Sequence, residues 1–307
     1  MRRIIFMGTP DFAVPSLKKL IENQYEVVLV VCQPDKPRGR SKELVMPEVK
    51  QEALKHGLEV FQPVSLKNEE AYSYLKQFNA DYIIVAAYGK ILPKAVLDLP
   101  KKACINVHGS LLPKYRGAAP IQWAVLNGEK TTGVTTMLMG EELDTGDILL
   151  KKEVAIGEDE TAAELFKRLA QCGSDLLIET LNRFDEIVPQ KQDEALATYS
   201  PMINRSLCPI DWSRPANEIH NQVRGLAEWP VATTNFSGKL LKIHSGTPVN
   251  GMKGTPGSVI MNKKRLVIAC GKETAYEILS LQLEGKKRMS AEAFLSGHKI
   301  ELGERLY

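Results

Sequence analysis

In the stretch CINVHGSLLPKYRGAAP, residues 104–120, an amide and an imidazole stand two positions apart, at Asn106 and His108. If ACINVHG is a strand, side chains two apart point to the same face, so the carboxamide and the imidazole are presented together. Both can donate a hydrogen bond to an oxygen that is gaining negative charge. One such preorganised donor contributes about 3 kcal/mol of transition-state stabilisation in acyl chemistry. A base is missing locally. The next carboxylates in a plausible strand-end loop are Asp144 and Asp147 of GEELDTGD, and a carboxylate there can orient His108 and help remove a proton from an attacking amine. The chain has no Ser-His-Asp spacing and no G-x-S-x-G elbow, so a covalent acyl-enzyme has no support. Donors and a base without an enzyme nucleophile fit direct transfer of an activated acyl group from a carrier to an amine. The residues alone leave a plainer reading open: a strand histidine satisfied in the core, Asn106 capping a turn, and SLLPKYRGAAP as an ordinary Pro-Gly loop with Arg116 on the surface.

Periodicity describes the elements that must hold these groups. RIIFMG (3–8) is a short apolar run ending at glycine. In TPDFAVPSLKKLIEN, Thr9 reads as a cap and Pro10 as part of the first turn of a helix whose Phe12, Leu17, Leu20 and Ile21 share a face. The alternation repeats with EVVLVVCQ, a helix around 47–56, a short strand near Val60, a helix around 69–78, DYIIVAAYG and ACINVHG. Strands apolar on both faces and separated by helices predict a parallel, doubly wound sheet. TTGVTTMLM and GDILLKKEVAI follow as partly alternating strands, and residues 160–184 as a long amphipathic helix. Residues after Phe184 are mixed and irregular and read as a connecting segment with few packed positions. A helix around 216–226 and short alternating runs from VATTNF to AYEILSLQLEG then predict a small β-barrel or sandwich.

In open α/β sheets ligands bind beyond the carboxyl ends of the strands. The first such end, MGTPDF, lacks the G-x-G-x-x-G that cradles a pyrophosphate, which disfavours a dinucleotide dehydrogenase. The 307 residues, 44% apolar and 25% charged, are an ordinary globular composition. Disordered and fibrous classes are excluded, and no apolar run reaches the ~18 residues of a membrane span. The apolar N-terminal stretch is too short for a signal peptide, so a cytoplasmic location is expected. Five scattered cysteines, Cys32, Cys104, Cys172, Cys208 and Cys270, read as reduced and mostly buried thiols. The net charge of +3 is uneven: residues 206–307 carry 14 Lys and Arg against 9 Asp and Glu, which points to a polyanionic partner for the C-terminal part.

NVHGSLLPKYRGAAPIQWAVLNGEKTTGVTTM, taken with LDTGDIL, strongly resembles the core of the 10-formyltetrahydrofolate-dependent formyltransferases. The segments IIFMGTPDFAVPSL, QPDKPRGRSKEL, VAAYGKILP, IDWSRPANEIHNQVRGL and GKKRMSAEAFLSGHKIELGERL are similar, along almost the whole chain, to the members of that family that formylate methionine on initiator tRNA. The loop PKYRG, where Pro-Arg-Trp-Arg-Gly is usual, and Gly140-Glu141, where Asp-x-Gly is frequent, depart from the pattern without touching its catalytic positions.

The resemblance implies a formyltransferase-type Rossmann-like α/β domain over 1–189, with a doubly wound, mostly parallel sheet. A linker at 190–207 and a smaller OB-like β-barrel over 208–307 that binds tRNA would complete the chain. It implies Asn106, His108 and Asp144 as the catalytic trio, the first two on the oxyanion and Asp144 setting the protonation of His108. Ser110, Leu111, Leu112 and Pro113 would form a folate-carrier segment. Tyr88, Gly89, Ile91 and Leu92, with the loop at 139–143, would hold the pterin through backbone groups. Arg38, Arg40 and Lys42 would approach the tRNA acceptor end, Arg40 touching it, while Lys286, Lys287 and Arg288 would bind phosphates. The NKKR turn at 262–265 reads nearly as well as solvated surface. The implied donor is 10-formyltetrahydrofolate, with no metal, and the implied partner is initiator methionyl-tRNA. The implied product is N-formylmethionyl-tRNA for translation initiation, made by a monomer away from membranes. The alternative is a folate-dependent formyltransferase for a nucleotide-linked amino sugar, which needs no basic barrel. An RNA-binding protein with a relic α/β domain is a second rival, and it would ignore folate.

Overall fold

A computed structural model of the chain describes residues 2–38 and 43–307. The chain forms two compact units. One holds the residues up to Pro120 with Thr131–Ala155 and Phe166–Pro201, the other Ile121–Lys130, Ile156–Leu165 and Met202–Tyr307. Two segments numbered below 189 thus cluster with the second unit.

The first unit is built on a seven-stranded sheet. Its order is Ile148–Ala155, Thr131–Leu138, Ala103–His108, Tyr82–Ala86, Arg3–Gly8, Glu26–Val31 and Val60–Phe61. The last five run parallel. Thr131–Leu138 turns the sheet antiparallel against both of its neighbours. Successive residues of the first strand go to opposite faces, as the pleat requires: Ile4 and Phe6 pack with Leu17, Leu20, Ile105 and Leu177. Ile5 and Met7 pack with Leu29, Ile83, Val85 and Val96. Burial on both faces is why these strands read as continuous apolar runs.

Two expectations need correction. Thr9 does not cap the first helix. A short turn, Asp11–Ala13, intervenes, and the helix is Val14–Glu22 with Pro15, not Pro10, in its first turn. The Thr9 hydroxyl instead donates to the Tyr88 carbonyl at 3.0 Å and accepts the Gln33 N–H at 3.3 Å, joining two strand-end loops. The segment after Phe184 is also more than a connector with few packed positions. Gln190 exchanges backbone hydrogen bonds with Ile148 at 2.8 and 2.9 Å, and Tyr199–Ser200 pairs in parallel with Arg116–Gly117. Backbone pairing of this kind leaves no apolar periodicity, so the sequence carries no trace of it.

The second unit holds an antiparallel sheet ordered Ala232–Phe236, Lys239–Asn250, Thr274–Leu283, Leu266–Ala269 and Val259–Met261, with Met289–Ser290 paired to Thr274–Leu283. It wraps a core of Trp212, Ile219, Val223, Ile243, Tyr276 and Phe294. The residues at 303–307 join its edges: Tyr307 exchanges backbone hydrogen bonds with Asn235, while Gly303, Glu304 and Leu306 bond to Val259 and Gly257. Both edge strands are thereby covered, which removes the open edges that invite aggregation. Among the described residues no helix is long and apolar enough to cross a membrane. The five cysteines are free thiols, four of them buried, and burial pushes the Cys32 thiol up to about 11.

Candidate active site

Asn106 and His108 lie on one face at the carboxyl end of Ala103–His108, and Asp144 meets them from the loop between Thr131–Leu138 and Ile148–Ala155. Asn106 Nδ2 donates to Asp144 Oδ1 at 3.4 Å, and His108 Nδ1 stands 3.6 Å from Asp144 Oδ2. The side chains of His108 and Asp144 are only 6% and 9% exposed. His108 Nε2 lies 2.9 Å from the Tyr115 carbonyl oxygen. A carbonyl can only accept, so Nε2 carries a proton and Nδ1 is the ring nitrogen left for the carboxylate and for a reacting group. The Gly117 N–H donates to Asp144 Oδ2 at 2.8 Å. Three groups therefore converge on one carboxylate, and the spacing of Asn106 and His108 carries the meaning the strand period gives it.

The carboxylate is aimed by an unusual turn. Asp144 has φ +55°, a left-handed conformation that aspartate tolerates better than most residues. Gly146 follows because a Cβ there would lie 1.8 Å from the Leu138 carbonyl oxygen. Asp147, the other carboxylate weighed from the sequence, has its carbonyl bound by the Leu138 N–H at 2.9 Å.

The loop after His108 is held by hydroxyl side chains bonded to its backbone. Thr135 Oγ1 donates to Ser110 O at 2.7 Å and accepts the Leu112 N–H at 3.2 Å. The Ser110 hydroxyl donates to Lys114 O at 2.6 Å, and Leu112 packs with Met137 and Ile148. Ser110 and Leu112 of the expected folate-carrier segment are thus buried, while Leu111 and Pro113 are half-buried. In the loop after Tyr82–Ala86, Tyr88 and Leu92 also belong to the core, whereas Ile91 is 71% exposed. Burial pushes the Tyr88 phenol up to about 12. Gly89 turns at φ +79°, and the carbonyls of Tyr88 and Gly89 accept from Gln33 Nε2. A cavity of about 300 Å³ is lined by Leu97, Cys104 and Met139 together with the charged Lys94, Asp98, Lys102 and Glu141. Cys104 shares a strand face with Asn106 and His108, but none of the trio is among the residues lining this cavity.

Arg116 is not on the surface. Its side chain is fully buried, paired to both oxygens of Glu194 at 2.7 and 2.8 Å and donating twice to Gln192 Oε1 at 2.9 and 3.0 Å. Gln192 Nε2 in turn donates to the carbonyls of Asp144 and Gly146, both at 2.8 Å. Arg116 was read from the sequence only as a surface residue of an ordinary loop, and Gln192 and Glu194 were not singled out. The signal that could have found them is a polar Gln-x-Glu with no apolar period, too weak to act on.

The residues expected to meet tRNA are placed unevenly. Lys286, Lys287 and Arg288 are exposed in the second unit, with Arg288 Nε donating to Ser280 Oγ at 2.9 Å. In the NKKR turn, Arg265 is held by Glu277 while Lys263 and Lys264 are exposed. Arg38 ends the short strand Lys36–Arg38, paired antiparallel to Glu43–Val45; Arg40 and Lys42 lie outside the described residues. Among the described residues no group of three or more His, Cys, Asp or Glu is placed to hold a metal.

The sequence matches the formyl transferase family model over residues 1–181 and the model of the formyl transferase C-terminal domain over residues 202–299. It is 51% identical to a methionyl-tRNA formyltransferase of Caldanaerobacter subterraneus subsp. tengcongensis across 98% of each chain. With that of Citrifermentans bemidjiense it shares 49% identity over 98% of this chain and 95% of the relative. Among solved structures, the N-formyltransferase from Helicobacter canadensis, in complex with folinic acid and dTDP-3-aminofucose, superimposes with a TM-score of 0.70. It is 22% identical and covers 91% of this chain and 99% of its own. That last likeness is one of fold.

Proposed function

The chain belongs to the formyl transferase family, among its methionyl-tRNA formyltransferases, and from that premise we propose how its residues carry the reaction. It transfers a formyl group from 10-formyltetrahydrofolate to the free amino group of methionine on initiator methionyl-tRNA. The single observation that carries the mechanism is the convergence of Asn106, His108 and Asp144 at one strand end.

Asn106 has a second carboxamide N–H beyond the one directed at Asp144, and it donates to the formyl oxygen as negative charge develops there. His108 assists from Nδ1. Its ring is fixed by Tyr115 O, and a proton on Nδ1, which faces the Asp144 carboxylate, lets it donate to the oxyanion. Asp144 takes up the proton released by the attacking amine, at Oδ1 or Oδ2; as the bond between the formyl carbon and the donor's nitrogen breaks, that nitrogen takes up a proton and tetrahydrofolate leaves. No enzyme nucleophile is needed, in keeping with the absence of a serine or cysteine among these contacts. The folate donor supplies an already activated one-carbon acyl group. Its pterin is proposed to be held by backbone groups of the loops at 87–92 and 139–143. Ile91, and Leu143 at 59% exposed, offer further apolar contact.

The exposed Lys286, Lys287 and Arg288 are the proposed phosphate contacts, together with Arg38, Arg40 and Lys42 near the acceptor end. Such contacts weaken as salt rises, because neutralised phosphates release counterions. The working unit is a monomer in the cytoplasm. The test is to supply the protein with 10-formyltetrahydrofolate and either methionyl initiator tRNA or a nucleotide-linked amino sugar. Formylation confined to the tRNA-bound methionine is the expected result; formylation of the sugar alone would overturn the assignment of the acceptor.

A further inference from the structure

We propose that Gln192 is a positioning residue for catalysis, its carboxamide clamping the turn that aims Asp144 and itself held by the buried Arg116. This rests on the reading of Asp144 as a catalytic group.

The turn at 144–146 has an intrinsic cost, since a non-glycine residue at φ +55° is uncommon and persists only where its surroundings over-determine it. Gln192 supplies that constraint. Its two amide hydrogens go to two different carbonyls of the turn, Asp144 and Gly146, each at 2.8 Å. With both fixed to one planar group, the Asp144–Thr145 and Gly146–Asp147 peptide planes are held relative to each other. The Asp144 side chain, which must face His108 and Asn106, is carried by that backbone.

Gln192 cannot wander, because Arg116 donates twice to its Oε1 and is locked by a two-point pair with Glu194. A cation at one end of an amide strengthens the donors at the other. A guanidinium with no exposed surface is costly unless every donor is used, and aiming an amide at a catalytic loop accounts for keeping it there. The Glu194 pair holds the Glu194 carboxyl below its ordinary range, through the hydrogen bonds from Arg116 and despite partial desolvation. The clamp also joins three distant stretches: Gln192 is 48 positions from Asp144 and 76 from Arg116. Because Gln192 touches only backbone of the turn, its effect must pass through Asp144.

The test is a double-mutant cycle on the full chain, with formyl transfer to methionyl initiator tRNA as the assay. Gln192→Ala should lower kcat roughly tenfold to a hundredfold, the scale on which ångström misplacements of catalytic groups act, while KM for both substrates changes less than about twofold. In the Asp144→Asn background the same change should cost nothing further, as expected of residues acting as one unit. Gln192→Glu keeps an acceptor for Arg116 but sets an oxygen against the two carbonyls, so it should lose activity at least to the same degree, with a lowered melting temperature. A Gln192→Ala or Gln192→Glu rate within twofold of the parent would overturn the clamp, and so would a loss fully additive to that of Asp144→Asn. Near-normal turnover of Asp144→Asn alone would instead overturn the catalytic reading beneath it.

Discussion

On the proposed mechanism, the chemistry of this chain is concentrated in a few side chains whose neighbours decide what they can do. Asn106 offers a donor, and its removal should be selective: Asn106→Ala is expected to reduce kcat by roughly a hundredfold to a thousandfold, the cost of losing one oxyanion donor, with folding intact by circular dichroism. His108 has one nitrogen committed to Tyr115 O, so its contribution is through Nδ1 beside Asp144. Asn106 and His108 were legible in the sequence because a strand's period of two places them side by side. Asp144 was legible as a carboxylate in a loop, but the choice between it and Asp147 needed the resemblance. Arg116 and Gln192 were not legible at all. Their partners are side chains and carbonyls dozens of positions away, and hydrogen bonds of that reach leave no periodic mark.

At the scale of elements, sheet and turns divide the work. The parallel strands were readable as apolar runs because both faces are buried, whereas the segment at 190–201 was not, since it is held by backbone pairing and by Gln192. The turn at Gly146 depends on the missing side chain. Gly146→Ala would drive a methyl into the Leu138 carbonyl at 1.8 Å, so the loop must shift. We expect a lowered melting temperature together with a loss of turnover larger than any change in KM, checked by calorimetry and steady-state kinetics. Leu112 sits in the expected folate segment, yet its side chain is fully buried with Met137 and Ile148. Leu112→Ala should therefore cost about 2–5 kcal/mol of stability, as large-to-small core changes do, read from denaturant unfolding.

Across the whole molecule, charge and protonation set the conditions under which the chain works. In the second unit His220 is buried against Tyr276, with Asp159 and Arg224 also near it, and burial lowers its pKa below the ordinary histidine range. Between that lowered value and the unfolded value of about 6.5 the unfolded chain binds more protons, so stability rises with pH across this window. Melting at pH 5.5 should accordingly fall below melting at pH 7.5, and His220→Gln should narrow the difference. In the proposed reading, the basic surplus of residues 206–307 acts in tRNA binding. Replacing one of Lys286, Lys287 or Arg288 should weaken tRNA binding at low salt and reduce the salt slope by about 1 per lost phosphate contact. That formyl transfer is carried by Asn106, His108 and Asp144 acting together is tested most directly by the single-turnover rate of Asp144→Asn with saturating 10-formyltetrahydrofolate and methionyl initiator tRNA. A fall of at least about a hundredfold, the lower range of general acid–base contributions, with an unchanged melting curve is the expected result. A rate within twofold of the parent would contradict it.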